Sequence, residues 1–254
     1  MVNTVITKGF KTTCFAAAAF TAFATFQANA DIVISGTRIV YPASSKDVIV
    51  NLDNRGNKPL LVQTWLDDGR DGVDPQELKL PFVITPPVSR IDPQKGQSLR
   101  ITYMGSALPQ DRESLFWFNV LEIPPKSKSK SKAKEGESLN QLQLAFRTRI
   151  KLFFRPDGLK GTPGDAAANL KWSQKKEGNT LSLFAQNDSA YNVSISNVKF
   201  KVGGKEYTVD SKSVLPFSGV SMPVKGLSNN INGTVIYNTI NDNGGTNKRE
   251  AKID

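Results

Sequence analysis

Apolar and polar residues alternate along short segments rich in Val, Ile, Phe, Tyr and Thr, and clusters of Gly, Pro, Asn and Asp separate those segments. A period of two places successive side chains on opposite faces of a sheet. It predicts strands over 32–41, 48–54, 60–66, 82–85, 97–103, 115–122 and 139–154. About seven strands is the number in an immunoglobulin-type sandwich. Helical periodicity is nearly absent. After Arg155-Pro156-Asp157-Gly158 the chain runs through Gly161-Thr162-Pro163-Gly164 and an alanine-rich patch, a composition suited to a linker or corner. A second, less regular set of strands follows, at 171–173, 180–187, 193–202, 206–209, 213–216, 220–224, 233–240 and 248–253.

The N-terminus departs from this pattern. Lys8 and Lys11, the apolar stretch from Cys14 to Phe26, and Ala28-Asn29-Ala30 form the three parts of a cleavable secretory signal. The apolar run is shorter than the roughly 20 residues that cross a bilayer. Removing residues 1–30 from the 254 leaves 224, enough for two domains, expected at 31–155 and 156–254. Cys14, the only cysteine, leaves with the signal, so the mature chain has no disulfide to form. No later segment has the length and hydropathy to insert in a membrane.

The chain carries 33 Lys and Arg against 23 Asp and Glu, a formal charge of +10 that becomes +8 without Lys8 and Lys11. This balance suits nucleic acid, anionic lipid or an acidic peptide, and export makes nucleic acid the least suitable of the three. Lysine occupies every second position from Lys126 to Lys134, with serine or alanine between. Like charges with nothing apolar to bury read as a solvated hairpin tip.

Several chemistries are missing. There is no histidine, and the mature chain has no cysteine. Ser-His and Cys-His nucleophiles, and zinc bound by His or Cys, are therefore excluded, and no metal or cofactor is expected. The Ser-x-x-Lys matches at Ser127, Ser129 and Ser131 follow from composition alone. The acidic stretch Asp67–Asp74 fails the EF-hand template, because Gly69 falls at a ligand position and Leu78 where the bidentate Glu belongs. It reads as a polar turn between strands. No phosphate-binding Gly-x-x-x-x-Gly-Lys-Ser/Thr loop exists.

Residues 139–154 would make an unusually long strand. Leu142, Leu144 and Phe146 alternate with Gln143, Ala145 and Arg147. As the last strand of its domain it is expected at a sheet edge, where a row of large apolar side chains invites pairing with another chain. The alternative is that the three face their own core.

The segments Thr37-Arg38, 84–93 (ITPPVSRIDP), 108–119 (LPQDRESLFWFN), Glu122-Ile123-Pro124-Pro125, 150–156 (IKLFFRP) and 240–245 (INDNGG) carry a resemblance. In these the chain resembles the periplasmic pilus chaperones, the PapD-like family of the chaperone–usher pathway. The resemblance implies an all-β chain of two immunoglobulin-like β-sandwiches arranged as an L around an interdomain cleft. It implies a protein that is not an enzyme and that lends an edge strand to pilus subunits before an outer-membrane usher receives them. The donor strand falls on Leu142, Leu144 and Phe146, and the anchor for the subunit's terminal carboxylate on Arg38 and Lys151. The interdomain ion group falls on Glu113, Arg155 and Asp242. Lys151 lies on the opposite alternation phase from the three donor residues, which a bulge between Arg147 and Lys151 would reconcile. The chain lacks the C-terminal disulfide of the family's prototype, and its loop from Pro124 to Ser138 is long for the short-loop members. The open edge also leaves room for self-association of the free protein. Outside the family, the competing readings are a secreted structural or adhesive sandwich without chaperone activity, and an enzyme that uses carboxylates alone.

Overall fold

In the computed structural model, residues 31–70, 72–74, 77–105, 108–125 and 144–253 are described. The signal segment, the lysine-rich run and Leu142 lie outside them. Two separate cores organise the described chain, one built from residues between Ile32 and Phe154 and the other from residues between Ala166 and Ile253.

The first core lies between two sheets. One has the order β1-β3-β7-β5, from β1 (Ile32–Ile34), β3 (Asp47–Asn54), β7 (Gly96–Tyr103) and β5 (Phe82–Thr85). The other has the order β2-β9-β8-β4-β6, from β2 (Arg38–Pro42), β9 (Phe146–Arg155), β8 (Ser114–Ile123), β4 (Leu60–Asp67) and β6 (Val88–Ile91). Alternation sets which side chains fill it. Val50 and Leu52 point inward from β3, whereas Ile49 and Asn51, the positions that alternate with them, are exposed. Tyr41, Phe118, Leu152 and Phe154 are fully buried, and the rings of Tyr103 and Phe154 lie 4.6 Å apart.

Three sequence expectations change here. The segment 32–41 is two strands in different sheets, because the chain turns at Ser35–Thr37, where Gly36 holds φ at 116°. Strand β6 was not anticipated: across Pro86-Pro87 the chain leaves β5 and crosses to β4 in the opposite sheet. The long strand begins only at Phe146, since Leu144 and Ala145 precede β9 without joining it.

The second core lies between the sheets β10-β11-β14 and β13-β12-β15-β16. These are β10 (Lys171–Glu177), β11 (Thr180–Asn187), β12 (Ile195–Val202), β13 (Lys205–Val209), β14 (Ser218–Pro223), β15 (Gly233–Ile240) and β16 (Thr246–Ile253). Register shifts between Ile195 and Asn197 in β12, which moves the buried phase from Ile195 to Val198 and Phe200 and explains the irregular pattern of that segment. The expected strand at 213–216 is a single bridge between Val214 and Val193. The linker contains a short helix, α1 (Pro163–Ala168), which has Pro163 at its start. Its first turn is capped by Thr162 Oγ1, which accepts from the Asp165 amide at 3.1 Å.

Candidate functional site

Strand β9 has two halves with different neighbours. It pairs antiparallel with β8 from Phe146 opposite Glu122 to Phe154 opposite Ser114. On the other side β2 runs parallel to it, from Arg38 beside Lys151 to Pro42 beside Arg155. Residues 151–154 are therefore flanked on both sides, while among the described residues 146–150 have β8 as their one strand neighbour and form an open edge. The expectation of an edge strand holds for half of β9 only.

The register against β8 is unbroken, so there is no bulge between Arg147 and Lys151, and the difference in phase is real. Phe154 and Leu152 face the core and Ile150 is half-buried at its margin. Phe146 continues that face beyond the end of the core and is 51% exposed, and Leu144 just before the strand is 54% exposed. These two do not belong to their own core. Arg147, Arg149 and Lys151 lie on the opposite, outer face.

Arg38 and Lys151 meet because parallel pairing makes them neighbours. Lys151 Nζ donates to Ser194 Oγ at 3.0 Å and Ser213 Oγ at 2.7 Å, both from the second sandwich, and it lies 5.6 Å from the centre of the Trp117 ring. Arg38 Nη1 donates to the Ile240 carbonyl at 2.9 Å, while its Nε is buried without a hydrogen-bond partner. Among the described residues no carboxylate is in ion-pair contact with either cation. Burial, and then the neighbouring charge of Arg38, depress the Lys151 pKa to about 8. Burial likewise lowers that of Arg38, with Asp242 opposing the shift. Two partly dehydrated cations side by side are unfavourable alone and suited to an anion.

The three ion-group residues also meet. Arg155 Nε donates to Glu113 Oε1 at 2.7 Å, and its Nη1 and Nη2 donate to Asp242 at 2.8 and 3.1 Å. Glu113 is buried, and its other oxygen accepts from the Asn192 amide at 2.8 Å. Burial works against the charge on Arg155, but its two carboxylate partners outweigh that and raise its pKa. This group joins the end of β9 to the second sandwich.

Sequence reasoning missed Ser194 and Ser213, which carry no local signal because they come from distant segments. The polar turn expected from Asp67 onward is present, since Asp67 Oδ1 accepts from the Gly69 amide at 2.8 Å, but sequence reasoning missed that Asp67 is also the buried end of β4, held by Asn119 and two arginines. The clue was the alternation Arg147, Arg149, Lys151 in a strand whose neighbour β8 supplies Trp117 and Asn119, with Trp65 beyond it on β4.

Comparison with known proteins agrees with this architecture. The family described as pili and flagellar-assembly chaperone, PapD N-terminal domain, matches residues 31–160, and pili assembly chaperone PapD, C-terminal domain, matches residues 165–251. The probable fimbrial chaperone YadV of Escherichia coli K12 is 49% identical over 226 residues, covering 88% of this chain and 90% of that protein. Its crystal structure superposes with a TM-score of 0.74 over 88% of this chain and all of that one. Chaperone protein HifB of Haemophilus influenzae is 41% identical over 225 residues, covering 84% of this chain and 85% of HifB. A complex of the Salmonella enterica SafA pilin with the SafB chaperone matches at 30% identity and a TM-score of 0.71, over 89% of this chain and 98% of that one. With both halves of the described chain matched, and with two immunoglobulin-like sandwiches in series, the protein belongs to the PapD family of pilus assembly chaperones.

Proposed function

We propose that the protein works in the periplasm, where it captures, folds and caps pilus subunits by donor-strand complementation and delivers them to an outer-membrane usher. One observation carries the mode of action: the half of β9 that lacks a second neighbour exposes Phe146 and leads back to Leu144, and it continues directly into the Arg38–Lys151 pair. An extended segment added to an open edge gains main-chain hydrogen bonds, while alternate side chains supply specificity. Leu144 and Phe146, with Leu142 ahead of them, are the side chains lent to the subunit. The terminal carboxylate of the subunit is held between Arg38 and Lys151. Glu113, Arg155 and Asp242 keep the two sandwiches in register with that anchor. The pilin in the related SafA–SafB complex supports a pilus subunit as the partner.

This reading takes residues 1–30 as a cleaved signal, 31–155 as the domain that carries the donor strand, and 156–254 as the second domain. It calls for no catalytic step, metal or cofactor. Protein recovered from periplasm is expected to begin at Asp31, and an intact mass that retains residues 1–30 would contradict export by cleavage. The central test is co-purification with the pilus subunit encoded in the same gene cluster, comparing the native chain with Phe146→Arg. Loss of the subunit by a variant with unchanged circular dichroism is the expected result, and normal capture would remove the donor-strand assignment.

A further inference from the structure

The outer face of β9 holds a cluster that the anchor does not use. Arg147 Nε and Nη2 donate to Asn119 Oδ1 in β8 at 2.9 and 2.7 Å, and Nη2 also lies 3.4 Å from Asp67 Oδ2 in β4. Arg149 Nε donates to Asp67 Oδ2 at 3.1 Å, and its Nη2 contacts the other carboxylate oxygen. Asn119 Nδ2 donates to Asp67 Oδ2 at 2.8 Å. The Arg147 guanidinium lies 5.1 Å from the centre of the Trp65 ring, and that of Arg149 lies 4.3 Å from that of Trp117. Asp67 and Asn119 are both buried, at 5% and 0% exposure. Burial pushes the Asp67 carboxyl up, but hydrogen bonds from Arg149, Asn119 and the Gly69 amide outweigh it and hold it below the ordinary carboxylate range.

We propose that Asp67, Asn119, Arg147 and Arg149 form a three-strand clamp that positions the open half of β9 for capture. The inference rests on the donor-strand reading above. An edge segment with one backbone neighbour opens easily, because few buried contacts hold it. Here the missing neighbour is replaced by side chains, which reach from β9 across β8 to β4. Alternation makes this compatible with function: the clamp grips 147 and 149 on one face and leaves 146 free on the other. The open half is thereby extended before a subunit arrives, which removes ordering cost from binding.

The test uses the full mature chain with Arg147→Met and Asp67→Asn. Arg147→Met keeps an apolar stem over Trp65 and replaces a side chain that is half exposed, so it guards against a failure to fold. Backbone hydrogen exchange in the free protein is expected to quicken roughly tenfold at the amides of 146–150 that are bonded to β8, with 151–155 unchanged. Affinity for the subunit is expected to fall by about three- to tenfold, without a change in circular dichroism. Unchanged exchange at 146–150 in both variants, or a uniform increase along all of β9, would overturn the clamp. Local loosening with native affinity would overturn its role in capture. Exchange is read without any subunit, so it decides the clamp even if Phe146→Arg shows that the donor-strand reading fails.

Discussion

Residues 146–150 and 151–155 are consecutive halves of one strand and share β8 as a neighbour, yet only the second half also has β2. On the core face, Leu152 and Phe154 in the second half are fully buried, while Phe146 in the first is half exposed. The same alternation of large apolar residues thus fills the core in one half and leaves an exposed apolar side chain in the other. What separates them is where β2 begins, since its parallel pairing starts at Arg38 and Lys151. Arg38 and Lys151, the proposed anchor, stand at the boundary between the two halves.

The sharpest break in the comparison comes from placing a charge in each half. Leu152→Arg buries an unpaired cation in the first core and is expected to unfold that sandwich, which thermal scanning of the soluble fraction would reveal. Phe146→Arg should leave the melting temperature within a few degrees of native and weaken capture about 100-fold or more, because an apolar contact is lost and a charge must enter an apolar groove. If the two variants behaved alike, the halves would not differ in the way described.

Next in size is the end of the paired half. Arg155→Ala leaves Glu113 buried without its cation and is expected to destabilise the protein by about 3–5 kcal/mol. Denaturant unfolding checks this, and a change below about 1 kcal/mol would show the ion group to be unimportant for stability.

At the boundary, Arg38→Ala or Lys151→Ala is expected to cost about 2–5 kcal/mol of subunit binding, since one cation removed leaves the carboxylate poorly paired. That is roughly 30-fold or more in affinity. Amidating the C-terminus of the subunit should weaken binding to the native protein and have much less effect on the double variant. Equal sensitivity in both would remove the anchor from these residues.

How much of this was legible in the sequence varies with the distance over which each feature is determined. The alternation at 142–146 is local and needed no structure. Whether Phe146 lies beside a strand of its own sheet or at an open position depends on where β2 begins, more than 100 residues earlier in the chain, and no local pattern encodes that. Arg38 and Lys151 came only from the family resemblance, because two isolated cations give no signal until parallel pairing joins them. The opposed phase of Lys151 suggests a bulge, but the register is unbroken, and Lys151 stands on the outer face of the strand opposite Phe146. Asp67 opens a run of Asp and Gly and does begin a turn, and only its packing against Asn119 and Arg149 marks it as an interior carboxylate as well.

The smallest expected effect is a dependence on pH that belongs to Lys151 alone among the groups discussed. Its pKa in the free protein is about 8 against the ordinary 10.5, because burial and Arg38 both disfavour the charge. Below pH 8 the ammonium is charged in the folded and unfolded chain alike, so folding carries the full penalty. Between about pH 8 and 10.5 the unfolded chain binds more protons than the folded one, so this group makes stability rise with pH. Capture follows the opposite course. A carboxylate beside Lys151 restores its proton, so binding takes up a proton once the free lysine has lost its own. Affinity for a subunit with a free C-terminus should therefore be level up to about pH 7.5 and roughly tenfold weaker by pH 9. Lys151→Met is expected to bind weakly at every pH, with a flat profile over this range. Titrations with free and amidated subunits at pH 7, 8 and 9 separate this group from other ionisations. A decline of the same steepness in Lys151→Met, or for the amidated subunit, would assign the pH dependence elsewhere.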